Sequence, residues 1–275
     1  MAPQRSLTSG RAVPRLDAPI FAPLRVLLGR LPQDRFPTLE ELNALVSPPV
    51  VGGGGVPIRF VPPARPSRDF AAQYEVRVFE AGEVPTRPDN WHDLFNALVW
   101  LVFPKTKAVL NGHHYEHIRL RRGELLRGTA RDVLTLFDEG GIVVGSADVR
   151  LPVLLRESRW KELFWERREG VQRSMRFYVF GHALYEKALD LFRGATAKAL
   201  IIPVETGLLD APVARQVAWL DARAAEYFSR AEALASTRAL PPLPVLGIPG
   251  WVPGNACEAY YDDASQFRPA AARKK

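Results

Sequence analysis

The stretch 94–103 constrains this chain most, because Leu94, Phe95 and then every residue from Ala97 to Phe103 is apolar. A helix that is apolar almost all round cannot lie at a surface, so it belongs at the centre of a domain with other layers packed on it. Local signals make the stretch helical. Asn90 can cap it, Asp93 at the third helical position suits the positive end of the helix dipole, and Pro104 ends it. The run is far too short to cross a bilayer, which takes about 20 apolar residues.

The rest of the chain supplies layers for such a helix. Pro104 can open a second helix reaching about His117. Thr38-Leu39-Glu40-Glu41 reads as a capping box starting a short helix that Pro48-Pro49 stops. Residues 58–61 and 74–79 read as strands, the second from the alternation of Tyr74, Val76 and Val78. Residues 133–137 and 142–144, joined through Asp138-Glu139-Gly140-Gly141, look like a hairpin. Ser158 can cap a helix bearing Trp160, Leu163, Phe164 and Glu166. Residues 175–180 suggest a strand that Gly181 turns into a helix over 182–192, followed by a strand over 199–204 and a long amphipathic helix over 210–235. The expected fold is α+β: a single domain over 38–240 with a small mixed or antiparallel sheet packed by several helices. An extended Arg/Pro-rich arm, 1–37, precedes it, and a proline-rich tail, 241–275, packs on it.

Composition narrows the setting. With 47% hydrophobic and 24% charged residues in 275, a real core can form and wholesale disorder is excluded. Cys257 is the only cysteine, so an internal disulfide and a cysteine-based metal site are both excluded, and a reducing cytoplasm is expected. Six arginines and interspersed prolines within residues 1–35 are unlike a secretory signal. The net charge of +7 favours acidic partners, such as a phosphate-bearing substrate or RNA, and no membrane is implied. The excess is partly local. Seven cations face two acids between residues 104 and 131, whereas residues 132–148 hold four acids and no base. Such a boundary is either a solvated face with internal ion pairs or a phosphate-binding surface.

Residues able to carry chemistry concentrate between 90 and 139, with His182 apart. His92 and Asn96, four positions apart, share a helical face, where they can hold a metal, orient a substrate or satisfy nearby main chain. Asp93 beside them is a cap or a catalytic acid. His113-His114-Tyr115-Glu116-His117 matches the inverted zinc-protease pattern, in which two histidines bind zinc and the glutamate is the base. It lacks a supported third ligand, Glu186 being only a possibility. Asp138 and Glu139 have the chemistry of a hairpin turn, but either can be a metal ligand or general base beside His92 and His114. Residues 52–55 lack the lysine and hydroxyl of a phosphate-binding loop, and 247–251 read as a packed turn.

The run from Asn90 through Trp91-His92-Asp93-Leu94-Phe95-Asn96 to Trp100, continuing by Phe103-Pro104 to Lys107 and Asn111, resembles a bacterial family known as a domain of unknown function, number 3025. Leu134-Thr135-Leu136-Phe137-Asp138-Glu139, Phe180-Gly181-His182-Ala183-Leu184, the segment 244–251 and Tyr261-Asp262-Asp263 continue the resemblance in order over about residues 70–269. It implies a bacterial cytoplasmic protein of one domain with a single histidine, His114, in the 113–117 segment. It implies no activity and no catalytic residues.

Two readings follow. In the first, the chain is a metal-dependent hydrolase of a phosphorylated or nucleic-acid substrate. His92, Asp93, Asp138 and His182 are then the catalytic groups, and His92, His114 and Asp138 hold a divalent metal. Asn96, Asn111, Arg121, Arg122 and Arg131 bind substrate in this reading. In the second, it is a non-catalytic basic protein that binds nucleic acid or assists assembly, with its histidines dispersed and individually satisfied.

Overall fold

A computed structural model describes residues 16–65, 69–120, 128–190 and 193–269. Residues Pro19–Leu24 form a 3-10 turn that runs into a short helix, Arg25–Leu28. This part of the arm is therefore helical rather than extended. It also joins the core: Phe21 stacks on Phe95 and on Tyr185 with ring centroids 5.8 Å apart in each case. The capping box forms as expected at helix α1 (Leu39–Asn43), with the Thr38 hydroxyl accepting from the Glu41 amide and Glu41 reaching back to the Thr38 amide. Strand β1 (Arg59–Val61) follows.

Residues 74–79 are not a strand. They lie in helix α2 (Tyr74–Ala81), which Gly82 closes in the left-handed conformation at φ 66°. The alternation of apolar residues was a weaker signal than that glycine C-cap. Strand β2 (Glu83–Pro85) then pairs in parallel with β1. The central helix α3 (Trp91–Val102) is capped by Asn90, whose side chain accepts from the Asp93 amide at 2.9 Å, and it is buried from Leu94 to Trp100. Pro104 ends it and begins α4 (Pro104–Leu120). The free amides of Lys105 and Thr106 at the start of α4 donate to Asp221, which caps the helix from a distant segment.

The expected hairpin is also absent. Residues 133–137 belong to helix α5 (Thr129–Gly140), and residues 142–144 belong to strand β3 (Gly141–Ser146), which is buried at every position. Val133, Leu134 and Phe137 share the inward face of α5 at spacings one helix turn satisfies and a strand does not. Residue Ser158 takes φ 55° instead of capping a helix, and the Trp160 segment contains a π-helical turn, Glu162–Glu166, before α6 (Arg168–Ser174). Strand β4 (Met175–Val179), helix α7 (His182–Ala188) and strand β5 (Thr196–Pro203) come next. The long helix is shorter than expected: α8 spans Val213–Phe228, and a 3-10 turn, Ala231–Leu234, follows it.

Four strands make a mixed sheet in the order β4-β3-β5-β6, where β6 is Pro242–Pro244. Strand β3 runs antiparallel to β4, with Ile142 opposite Val179, and parallel to β5, with Val143 opposite Leu200. The chain is a single-domain α+β protein in which helices pack on this sheet. Tail residues 241–269 lie on the body: the Trp160 indole donates to the Arg268 carbonyl at 2.7 Å, and Arg168 donates to the carbonyl of the fully buried Asn255 at 2.8 Å. Among the described residues, no helix is long and apolar enough to cross a membrane.

Candidate functional site: a paired-histidine centre

Helices α3 and α4 each carry a polar stripe into the core, with His92 at a partly exposed end. His92, Asn96 and Trp100 follow one another at four-residue steps on α3, and Lys107, Asn111 and His114 occupy one face of α4. The last turn of α5 brings Asp138 and Glu139 to the same region. Strand β3 begins immediately after it, and the Gly141 carbonyl accepts from the amides of both Phe180 and Gly181 at 2.9 Å. These bonds clamp the N-terminus of α7, and so His182, against the end of α5. Only glycine permits the approach, since a Cβ at 181 would lie 2.5 Å from the Glu139 carbonyl oxygen.

His92 and His182 meet edge to face, with Nε2 atoms 3.0 Å apart. The other nitrogen of His92, Nδ1, is 3.0 Å from Glu186 Oε2, and Nδ1 of His182 faces Asp138 Oδ2 at 3.8 Å. That second nitrogen is buried and has no hydrogen-bond partner among the described residues. Glu139 Oε1 is 3.7 Å from His182 Nε2. His92, Glu139 and His182 thus offer three ligand atoms, all within 4.8 Å of one another.

The proton positions follow from these neighbours. A carboxylate favours an N–H opposite it, so Glu186 and Asp138 both favour protons on Nδ1. Two bare Nε2 lone pairs and a carboxylate oxygen then lie within 4.8 Å of one another. A hydrogen bond between the rings would instead leave one Nδ1 lone pair facing a carboxylate. A cation between the Nε2 atoms, either a shared proton or a metal ion, resolves the conflict. Bonds of about 2.0–2.1 Å at tetrahedral angles separate neighbouring ligand atoms by about 3.3 Å, close to the spacings found here.

A buried charge pair lies beneath the histidines. Lys107 Nζ donates to Asp138 Oδ1 at 2.8 Å and to Asn96 Oδ1 at 2.9 Å, and it sits 5.2 Å from the centre of the Trp100 ring. The Asn96 amide donates in turn to the Tyr74 hydroxyl at 2.8 Å. Burial opposes the charge on both members of the pair, yet their mutual attraction wins. Asp138 is held below the usual carboxylate range and Lys107 above its ordinary value. His182 is pulled down to about 4 by burial, which the Asp138 charge only partly offsets, so it is neutral at pH 7. Burial, reinforced by the neighbouring Asp138 charge, raises Glu139.

Asn111 leads to a further buried group. Its amide donates to the Glu75 carboxylate at 2.7 Å and to the Glu75 carbonyl at 3.0 Å, while its oxygen accepts from the Gly53 amide. Glu75 is only partly buried as a residue, but its carboxyl turns inward. Burial outweighs the Asn111 bond and lifts it to about 7. His114 is buried and pulled down to about 4 by desolvation, with Asp138 acting in the opposite sense.

The expected residues therefore divide. His92, Asp138 and His182 come together, with Asn96 one bond further in through Lys107 and Asn111 on the neighbouring Glu75 branch. His114 lies near Asp138 but outside the ligand group, where Glu139 takes the third place. Asp93 is engaged elsewhere, in a two-point ion pair with Arg87 at 2.8 Å. Arg131 is exposed at the start of α5. Arg121 and Arg122 lie outside the described residues. The inverted protease pattern does not assemble among the described residues: His113 Nε2 meets the Phe228 carbonyl at 2.9 Å, and no ligand group includes His113 or His117.

A family model described as "Protein of unknown function (DUF3025)" matches residues 58–271. The chain belongs to the DUF3025 family. All the side chains of the centre, from Tyr74 to Glu186, fall within the matched span. No curated protein and no solved structure matches the chain. Sequence reading of this DUF3025 chain overlooked Lys107 and Glu75. The available signal for Lys107 was its position one and two turns before Asn111 and His114, and it was weak, because Lys105, Thr106, His113, Glu116 and His117 make the rest of the helix polar too. Nothing comparable marks Glu75, because residues 74–79 read as a strand.

Proposed function

We propose that this DUF3025 chain is a metal-dependent hydrolase acting on a phosphorylated or nucleic-acid substrate, in a bacterial cytoplasmic setting. His92, His182 and Glu139 are the ligands of one divalent ion. The observation that carries the reading is the convergence of two Nε2 atoms and one carboxylate oxygen, with a carboxylate behind each histidine. Three protein ligands leave coordination positions open, as catalytic sites require and closed structural sites do not. Two imidazoles with one carboxylate suit Zn²⁺, and also Fe²⁺ or Mn²⁺.

When bound, such an ion supplies Lewis acidity, which polarises a phosphoryl oxygen and makes a water more acidic. The protein's own residues hold and orient. Side chains of Glu139 and Glu186 are 47% and 46% exposed, so the ligand set opens to solvent on that side. His182 and the Lys107–Asp138 pair lie beneath, sheltered from water. Asp138, kept ionised by Lys107, is a weak proton acceptor, and its part is to orient His182 instead of acting as general base. The net charge of +7 suits an anionic substrate.

Metal analysis after reconstitution with Zn²⁺, Mn²⁺ or Fe²⁺ tests the proposal. One equivalent bound by the native chain and lost in both His92→Ala and His182→Ala is expected, together with hydrolysis of a phosphodiester probe that follows metal content. A native chain that takes up none of the three ions would sink the reading. Salt-sensitive RNA binding in that case would favour a non-catalytic binder.

A further inference from the structure

We infer that Lys107 is the positioning residue of this centre: acting through Asp138, it keeps the proton of His182 on Nδ1 and leaves Nε2 bare for the ion. The inference rests on the metal reading proposed above and adds a control to that same site.

Lys107 occupies an improbable place. Its side chain is 4% exposed, and it projects from the first turn of α4, where the positive end of the helix dipole disfavours a cation. A buried ammonium in such a turn is costly unless a specific partner requires it. The surrounding structure holds it firmly. Asp221 caps the α4 amides at Lys105 and Thr106 and so fixes the turn. A lysine can only donate, so Asn96 must turn its oxygen toward Nζ and its amide toward Tyr74; the Tyr74 hydroxyl accepts from that amide and from the Trp100 indole. Every orientation in the chain from Trp100 to Lys107 is thereby determined.

The consequence falls on Asp138. Lys107 takes Oδ1, which leaves Oδ2 as the oxygen facing His182 Nδ1. Without the ammonium nothing holds Oδ1 in place, and the carboxylate is free to swing toward water and away from His182. The preference it imposes for Nδ1–H is then lost. His182 then drifts to the tautomer with its proton on Nε2, which points an N–H into the space the ion needs. Lys107 bonds to none of the three ligand side chains among the described residues, so its influence is exerted through Asp138. Loss of a partner of this kind weakens metal binding by about ten- to hundredfold.

The test uses the full chain, with Zn²⁺ as the probe, in the native protein and in Lys107→Met, Lys107→Arg and Asp138→Asn. Zinc affinity is measured by competition with a chelator, and the His182 tautomer is read from ¹⁵N chemical shifts of the metal-free proteins. Expected results are an Nδ1–H tautomer in the native chain, a shift toward Nε2–H in Lys107→Met and Asp138→Asn with zinc held about ten- to hundredfold more weakly, and recovery in Lys107→Arg. A folded Lys107→Met that keeps the native tautomer and native zinc affinity overturns the inference. Should Lys107→Met fail to fold, an unchanged tautomer in Asp138→Asn overturns it equally. Failure of the native chain to bind zinc, manganese or iron would refute the metal reading instead, while the tautomer comparison would still decide the role of Lys107.

Discussion

Replacing His114 with glutamine should change how stability depends on pH, by an amount the structure fixes. The buried imidazole titrates near 4, against 6.5 for the free side chain. Its folded value is depressed, so the unfolded chain takes up the proton first. Stability from this group is complete above the unfolded value and is lost as pH falls from about 6.5 toward 4. Integration over the two titrations gives a loss of about 2 kcal/mol between pH 7 and pH 5. Glu75 works in the opposite sense. Its folded value, about 7, lies above the ordinary 4.5, so its contribution is present below the unfolded value and disappears as pH rises through 7. Acidification from pH 7 to pH 5 therefore returns about 2 kcal/mol through Glu75, and the two groups nearly cancel in the native chain. Urea unfolding of the metal-free native and His114→Gln proteins at both pH values isolates the effect, because every other group cancels in the comparison. The variant should gain about 2 kcal/mol relative to the native chain on going from pH 7 to pH 5, and Glu75→Gln should lose a similar amount. Parallel pH profiles for the native chain and His114→Gln would show that His114 is not desolvated as the packing requires.

Other substitutions separate the site from the scaffold. Gly181→Ala should cost about 1–3 kcal/mol and weaken metal binding, because the new Cβ meets the Glu139 carbonyl at 2.5 Å and must push α7 away from α5; thermal unfolding and metal titration measure both. Glu186→Gln should leave the unfolding temperature nearly unchanged but reduce metal affinity by about tenfold or more, since it removes only the carboxylate behind His92. Thr38→Ala removes half of the capping box and should cost about 1 kcal/mol in unfolding experiments, with metal affinity unaffected.

Much of the fold was legible where one local signal stood unopposed. The Asn90 cap, the apolar stretch behind it and the proline break at 104 gave the central helix its limits almost to the residue. The strand at 175–179, the turn at Gly181 and the helix beginning at His182 were likewise plain. The reading failed where a short pattern admitted two periods. Tyr74, Val76 and Val78 alternate as a strand does, yet Gly82 ends a helix there with a backbone conformation that glycine tolerates best. Asp138-Glu139-Gly140-Gly141 has the composition of a tight turn, whereas Gly141 starts a buried strand whose parallel partner, β5, lies more than fifty positions downstream. No local rule reports a pairing of that range.

The misreading of that turn also hid how the centre is made. Two acids at the C-terminal end of α5 oppose the helix dipole, and Lys107 opposes it at the start of α4. Each choice is unfavourable within its own helix. They become intelligible together, because Lys107 neutralises Asp138 across the helices and orients its carboxylate behind His182, while Glu139 joins the ligand group. Local disfavour shared by residues that meet in space marks a site better than any single motif does. The letter-perfect H-x-x-E-H at 113–117 illustrates the converse. It violates no local preference, and its first histidine is occupied with the main chain of α8 at Phe228. Recognising Lys107 and Asp138 as partners requires knowing that α4 and α5 pack against each other, information that belongs to the tertiary structure and is not contained in either helix alone.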